Sequence, residues 1–218
     1  MRRLIYYQAR PAPNGGTAMS FMESAAQVLL VAAQLFAILN PPSSIPAFLA
    51  ITEREGTRAR ARLAKLTTWL VLALMLAFAL TGNYLLAALN ISLESLKLGG
   101  GFLLLALALD MVLGSRQEGQ DGREEAGIVP VVTPLLVGPG TITTLVILSA
   151  YYPAPVLLAA VGVTAAAAYI CLRFSDLIMR LLGRMGVSAF SRLMAVLIAA
   201  MACEMIHSAL LAWGIAKA

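Results

Sequence analysis

Blocks of about twenty apolar residues, divided by short loops that hold nearly all the charge, set the plan of this chain. That length matches what a helix needs to cross the ~30 Å hydrocarbon core of a bilayer, and the roughly ten-residue alternation of an outer-membrane barrel strand is absent, so the pattern predicts spanning helices. Six spans are predicted. The first runs from Ser24 to Ile51, the second from Leu66 to Leu89 and the third from Leu96 to Leu113. The uncharged stretch from Ala126 to Leu172 is 47 residues long, right for two spans, with "YYPAP" at Tyr151 to Pro155 supplying interfacial aromatics and a turn between them. The sixth runs from Leu193 to Trp213.

The first span is interrupted where a membrane helix tolerates it least. At its middle, "LFAILNPPSSIPAFLAIT" places Asn40, Pro41, Pro42, Ser43, Ser44 and then Pro46. Proline lacks the amide donor and collides with the preceding turn, so one half-helix ends here and another begins. Span four carries a matching break, "GPGTIT" from Gly138 to Thr143, which lies 98 residues later when Pro41 is set on Pro139. Spans three and six correspond loosely as well: "LKLGGGFLLLALALDM" and "SRLMAVLIAAMACEMI" each have a base at the start and an acid three to four turns on. Because an odd number of spans separates the copies, the second enters the membrane in the opposite sense, giving inverted three-helix repeats.

Composition narrows the class further. Hydrophobic residues make up 60% and charged residues 12% of the 218, and the mean hydropathy is +0.85, outside the range of soluble domains. The net charge of +5 follows membrane topology, since no basic face with interleaved aromatics points to nucleic acid. Eleven Lys and Arg residues fall in the loops after spans one, three and five, against five on the other side, so those loops are expected in the cytoplasm and both termini outside. Cys171 and Cys203 lie in apolar segments and read as small packing residues, with neither a disulfide framework nor a zinc spacing. Residues 1–22 have early arginines but no apolar core, so they read as a disordered tail or as a start assigned too far upstream, Met19 and Met22 being the alternatives.

Two breaks in membrane helices expose backbone groups that must line a cavity or be buried in protein. The expected substrate site therefore comprises Asn40, Pro41, Pro42, Ser43, Ser44, Gly138, Pro139, Gly140, Thr141 and Thr143, with half-helix amino termini and hydroxyls suited to a carboxylate or phosphate. A proline kink repaired by neighbouring helices is the simpler alternative for either break taken alone. Glu204 sits near the middle of span six, where an ionised carboxylate costs at least about 2.5 kcal/mol. His207, the only histidine, shares its face at i+3, so the two are candidates to couple transport to a proton gradient. The competing reading is that they hydrogen-bond each other or a facing helix. Gly99, Gly100 and Gly101 read as a close-packing surface.

Together, "LFAILNPPSSIPAFLAIT", "LKLGGGFLLLALALDM", "VPVVTPLLVGPGTITTLVILS" and "SRLMAVLIAAMACEMI" resemble the MarC family of six-span inner-membrane proteins over about Ser24 to Leu211. Four segments in the right order carry the resemblance. It implies a bacterial inner-membrane location and, for some members, transport of small neutral amino acids such as glycine and alanine. Pro42 and Ser43 depart from the glycine many members carry near here, which bears on pocket shape.

The expectation is thus an all-α polytopic membrane protein of two inverted repeats, residues 23–113 and 128–218, joined by a cytoplasmic loop at 114–127. It would work as a secondary transporter of a small solute by alternating access with proton coupling. An exporter of a metabolite or drug, or a non-transporting scaffold or sensor, are the alternatives. No hydrolase, metalloprotease, nucleotide-binding or intramembrane-protease motif is present, so neither catalysis, a metal nor a cofactor is expected. The expected partners are the small-molecule substrate, the lipid bilayer and, compatibly, further copies of the chain.

Overall fold

The computed structural model describes residues 21–53, 56–113 and 137–216. Most of the expected tail, the loop at 114–127 and the leading half of the fourth span fall outside the described residues. Within them all regular structure is helical: α1 (Phe21–Leu39), a 3-10 turn (Pro41–Ser44), α2 (Ile45–Ile51), α3 (Thr57–Ala88), α4 (Leu93–Leu113), α5 (Pro139–Tyr151), α6 (Ala154–Arg173) and α7 (Ser175–Ala212). Five helical stretches are long and apolar enough to cross a membrane; the first, Met22–Ile51, runs through α1, the turn and α2. The shorter apolar helix α5 forms the trailing half of span four. The chain is a multi-pass all-α membrane protein.

The helices outrun the predicted spans. α3 begins at Thr57 and α7 at Ser175, so the arginine-rich segments expected as loops are helical. The apolar pattern marks only the part inside hydrocarbon, whereas arginine and lysine are good helix formers and let the ladder continue into water. Gly183, at φ 65 and ψ 179, divides α7 into a short arm and a long spanning run, a conformation that an L side chain rarely adopts. On the arm, Leu177 and Leu181 are exposed beside Arg180.

Two apolar clusters hold the bundle. One gathers α1, α3, α5 and α6 around Leu35, Val71, Met75, Leu145 and Leu157, with Phe48 of α2 fully buried among them. The other joins α4 to α7 through Leu104, Ala108, Ala195, Ile198 and Ala202, with Ile38 of α1 at its edge. Without water to drive association, membrane helices gain from close backbone approach, and glycine permits it. A Cβ on Gly101 would fall 2.6 Å from Ile206 Cγ1 and 2.9 Å from the Ala202 carbonyl oxygen. One on Gly100 would collide with the Thr143 methyl of α5, so α4 is pressed against two helices at once. The α4–α7 pair runs antiparallel: Gly101 meets Ala202 and Ile206, and further along Ala108 shares a cluster with Ala195.

The packing reading of the three glycines divides accordingly. A Cβ added to Gly99 would meet nothing within 4 Å. Gly101→Ala is expected to destabilise the protein by about 1–3 kcal/mol, because backbone as well as side chain must move, and Gly99→Ala to leave it unchanged or slightly more stable. Thermal unfolding of the two purified variants in detergent measures the contrast.

Candidate functional site

α1 ends because of Asn40. Its amide donates to the Phe36 carbonyl at 2.8 Å, and its backbone then turns left-handed at φ 42, ψ 59, a conformation that asparagine accepts more readily than other residues with a Cβ. Pro41 and Pro42 follow. A continuing helix would return their amides to the Ala37 and Ile38 carbonyls, and neither proline has one to give. The carboxyl-terminal end of α1 therefore carries carbonyl oxygens that its own chain leaves open, at the negative pole of the helix.

The turn beyond it is tied up locally. Ser43 donates from both its amide (3.0 Å) and its hydroxyl (2.8 Å) to the Asn40 carbonyl, and the Ile45 amide donates to Pro42 O. Ser43 is exposed and Pro42 half-buried, whereas Pro41 and Ser44 are buried. The distinctive atoms are the remaining ones. Asn40 is 3% exposed and Ser44 1%, yet Asn40 Oδ1, Asn40 Nδ2 and Ser44 Oγ are buried without a hydrogen-bond partner. Buried polar groups are nearly always paired, and each orphan costs about 1–3 kcal/mol.

The second break has a different construction. Gly138 precedes α5 in an extended conformation, Pro139 occupies the first helical position, and the Thr141 and Ile142 amides both donate to the Gly138 carbonyl at 3.0 and 3.2 Å. Thr143 sends its hydroxyl to Pro139 O at 2.9 Å and packs its methyl on Gly100, so it serves its own helix and the contact with α4. Pro139 is exposed, and Gly140 and Thr141 are buried. Thr144, which sequence reasoning passed over, is 4% exposed with an unpartnered hydroxyl.

The two breaks meet at one point. A Cβ built on Gly140 would stand 2.7 Å from Leu104 Cδ2, 3.5 Å from Leu107 Cδ2 and 3.7 Å from Ile38 Cγ2, so the positive end of α5 lies beside the negative end of α1 with these three side chains packed against Gly140. Glu204 and His207 are not brought to this place. They share a face, as their spacing requires, but it is the exposed side of α7, opposite the packed residues Ala195, Ile198, Ala202 and Ala209. Among the described residues no group of three or more His, Cys, Asp or Glu side chains is arranged to hold a metal ion.

Polar ties close the bundle at both ends. At one, Arg60 Nη1 lies 2.7 Å from both carboxylate oxygens of Asp176 and Nη2 donates to the Thr52 carbonyl at 3.0 Å, joining α3, the end of α2 and α7. A cleft of about 520 Å³, lined by Gly56, Thr57, Arg60, Asp176, Leu177 and Arg180, opens there. At the other, Asn83 Nδ2 donates to Ser149 O at 3.1 Å, Ser149 Oγ lies 3.3 Å from Asn83 Oδ1, and Lys97 sits 4.7 Å from the Tyr151 ring centroid.

Comparison with known proteins places this geometry in company. Residues 25–213 match the model of a family described as MarC family integral membrane protein. The chain is 33% identical over 194 residues to a UPF0056 membrane protein of Methanocaldococcus jannaschii, covering 82% of this chain and 93% of that one. It is 34% identical over 188 residues to a UPF0056 membrane protein of Archaeoglobus fulgidus (81% and 88%), and 30% over 192 residues to the UPF0056 inner membrane protein YhgN of Escherichia coli (86% and 98%). No solved structure matches it.

Because Ser44 Oγ has no partner to lose, Ser44→Ala is expected to leave stability unchanged or to raise it by up to about 1–3 kcal/mol. Asn40→Gly should likewise fold, since glycine keeps the left-handed turn, whereas Asn40→Ala should cost about 1–2 kcal/mol for that backbone. Chemical unfolding of the three variants decides: a large loss in Ser44→Ala would mean that the hydroxyl is a structural group.

Proposed function

The chain belongs to the MarC family of integral membrane proteins, and from that premise we propose that it is a secondary transporter of a small zwitterion, a small neutral amino acid such as glycine or alanine. The observation that carries the reading is the juxtaposition of Ile38 and Gly140. It brings the carboxyl end of α1, where an ammonium would find the Ala37 and Ile38 carbonyls, near the amino end of α5, whose positive pole at Gly140 suits a carboxylate. Asn40 and Ser44 add an amide and a hydroxyl whose hydrogen-bonding capacity the protein itself leaves unused. Leu104 and Leu107 close in on Gly140, which leaves little room beside it and favours glycine and alanine over larger amino acids. Pro42 and Ser43 border the turn without entering this set, and Ser43 shapes the break through its bonds to Asn40 O.

Transport by alternating access suits the same architecture. Paired packing of α4 on α7 and of α3 on α6, with the breaks in spans one and four lying near each other, is the arrangement that two inverted three-helix repeats would produce. The Arg60–Asp176–Thr52 tie and the Asn83–Ser149 and Lys97–Tyr151 contacts then act as gates, opened one at a time. By the positive-inside rule the Arg60 gate faces the cytoplasm and both termini lie outside, and the name of the Escherichia coli relative supports an inner-membrane location. Glu204 and His207 face outward from the bundle, away from the breaks, so the substrate site is built without them.

Uptake of labelled glycine and alanine into proteoliposomes tests the reading. Wild-type protein should accumulate both. Ser44→Ala and Asn40→Gly should raise KM about fivefold to tenfold, the loss of one hydrogen bond each, and Gly140→Leu should abolish uptake while the protein still folds. Normal uptake by folded Gly140→Leu would place the site elsewhere.

A further inference from the structure

α7 has a second face that neither the bundle nor the breaks use. Leu193, Leu197, Ala200, Glu204, His207 and Leu211 follow one another at steps of four, three, four, three and four, which keeps them in one line along the helix. Leu193 and Leu197 are 57% and 47% exposed, Ala200, Glu204 and His207 are exposed, and the stripe lies opposite the side packed on α4. Lipid suits the leucines but not what stands among them. Glu204 is eight residues from the helix end at Ala212, about 12 Å at 1.5 Å per residue, too far for its short side chain to reach the headgroups. Neither it nor His207 makes a hydrogen bond or ion pair among the described residues. A carboxyl group left facing hydrocarbon is strongly disfavoured, so something that supplies a donor at this depth must cover it.

We propose that the cover is a second copy of this chain, docked through the same stripe of α7 in a two-fold dimer. Charge complementarity names the occupant. Copies inserted in one membrane share an orientation, so the symmetry axis runs along the membrane normal and the two α7 helices lie parallel. The Glu204 layer of one then adjoins the His207 layer of the other, one step of three residues away, and the symmetry makes two equivalent carboxyl–imidazole contacts. Ala200, one turn before Glu204, lets the backbones approach closely enough for both. A dimer seam on the outside of α7 leaves the breaks and both sets of end contacts untouched, and it accounts for the only histidine and the one acid near the middle of span six without assigning them to the substrate site.

Two measurements decide it. In a Cys171→Ser, Cys203→Ser background, Ala200→Cys should form a disulfide-linked dimer on mild oxidation in liposomes, and Val163→Cys on the exposed side of α6 should not. Independently, single-molecule photobleaching of labelled wild-type protein in dilute liposomes should show two steps per particle. Glu204→Ala or His207→Ala should weaken the dimer about tenfold, as expected for the loss of two interhelical polar contacts, and the exchanged pair Glu204→His with His207→Glu should restore it. Single-step bleaching of the wild type overturns the proposal, as does equal cross-linking at positions 163 and 200. Failure of the exchanged pair to recover overturns the pairing of Glu204 with His207. A larger complex formed only when a different membrane protein is added would assign the stripe to that protein instead.

Discussion

In hydrocarbon every backbone amide and carbonyl must find a partner inside the protein, and the rest of this structure is arranged around the place where the chain declines to provide one. Asn40 turns the backbone left-handed, two prolines remove the next two donors, and the Asn40 carbonyl is left to gather Ser43 alone. A break of this kind survives only if it is enclosed. α6 and α7 pack on the turn, Phe48 anchors α2 in the main apolar cluster, and the close approach of α4 to α7 through Gly101 brings the second break alongside. The glycines of α4 thus matter to the site although none of them belongs to it: Gly100 receives the Thr143 methyl, which fixes where α5 begins.

The consequence is an opposition of helix poles. α1 ends and α5 begins within contact distance of each other, and a zwitterion carries the two charges that such a pair of ends would hold. The unpaired atoms of Asn40 and Ser44 sharpen this, because a fold selected for stability alone would have placed glycine at the left-handed turn and an apolar side chain in place of Ser44. Stability given up at a site is a common mark of function.

Much of this is legible in the sequence, and the parts that are not have physical causes. The all-helical, multi-pass class follows from block length, because a bilayer admits few alternatives. Both breaks are visible because proline and its neighbours carry their backbone consequences wherever they stand. The helix ends are not, since hydropathy reports the slab and not the ladder, and α3 and α7 continue through their arginines into water. Which hydroxyls stay free is also hidden: Ser43 and Ser44 are adjacent and chemically identical, yet one closes the turn and the other is orphaned, a distinction made by the 3-10 geometry. Thr143 and Thr144 divide in the same way. Glu204 and His207 do share one face, but the spacing that pairs them says nothing about which side of α7 the bundle buries.

The central claim is that the two helix ends together hold one small zwitterion, and ligand-induced thermal stabilisation of the purified protein addresses it without any assumption about direction or coupling. Glycine and alanine should each raise the unfolding temperature in a saturable way, by about 5–10 °C near a hundredfold excess over Kd, while ethylamine and acetate, each carrying only one of the two charges, should do far less at the same concentration. No shift with either amino acid, or an equal shift with acetate alone, would contradict the account.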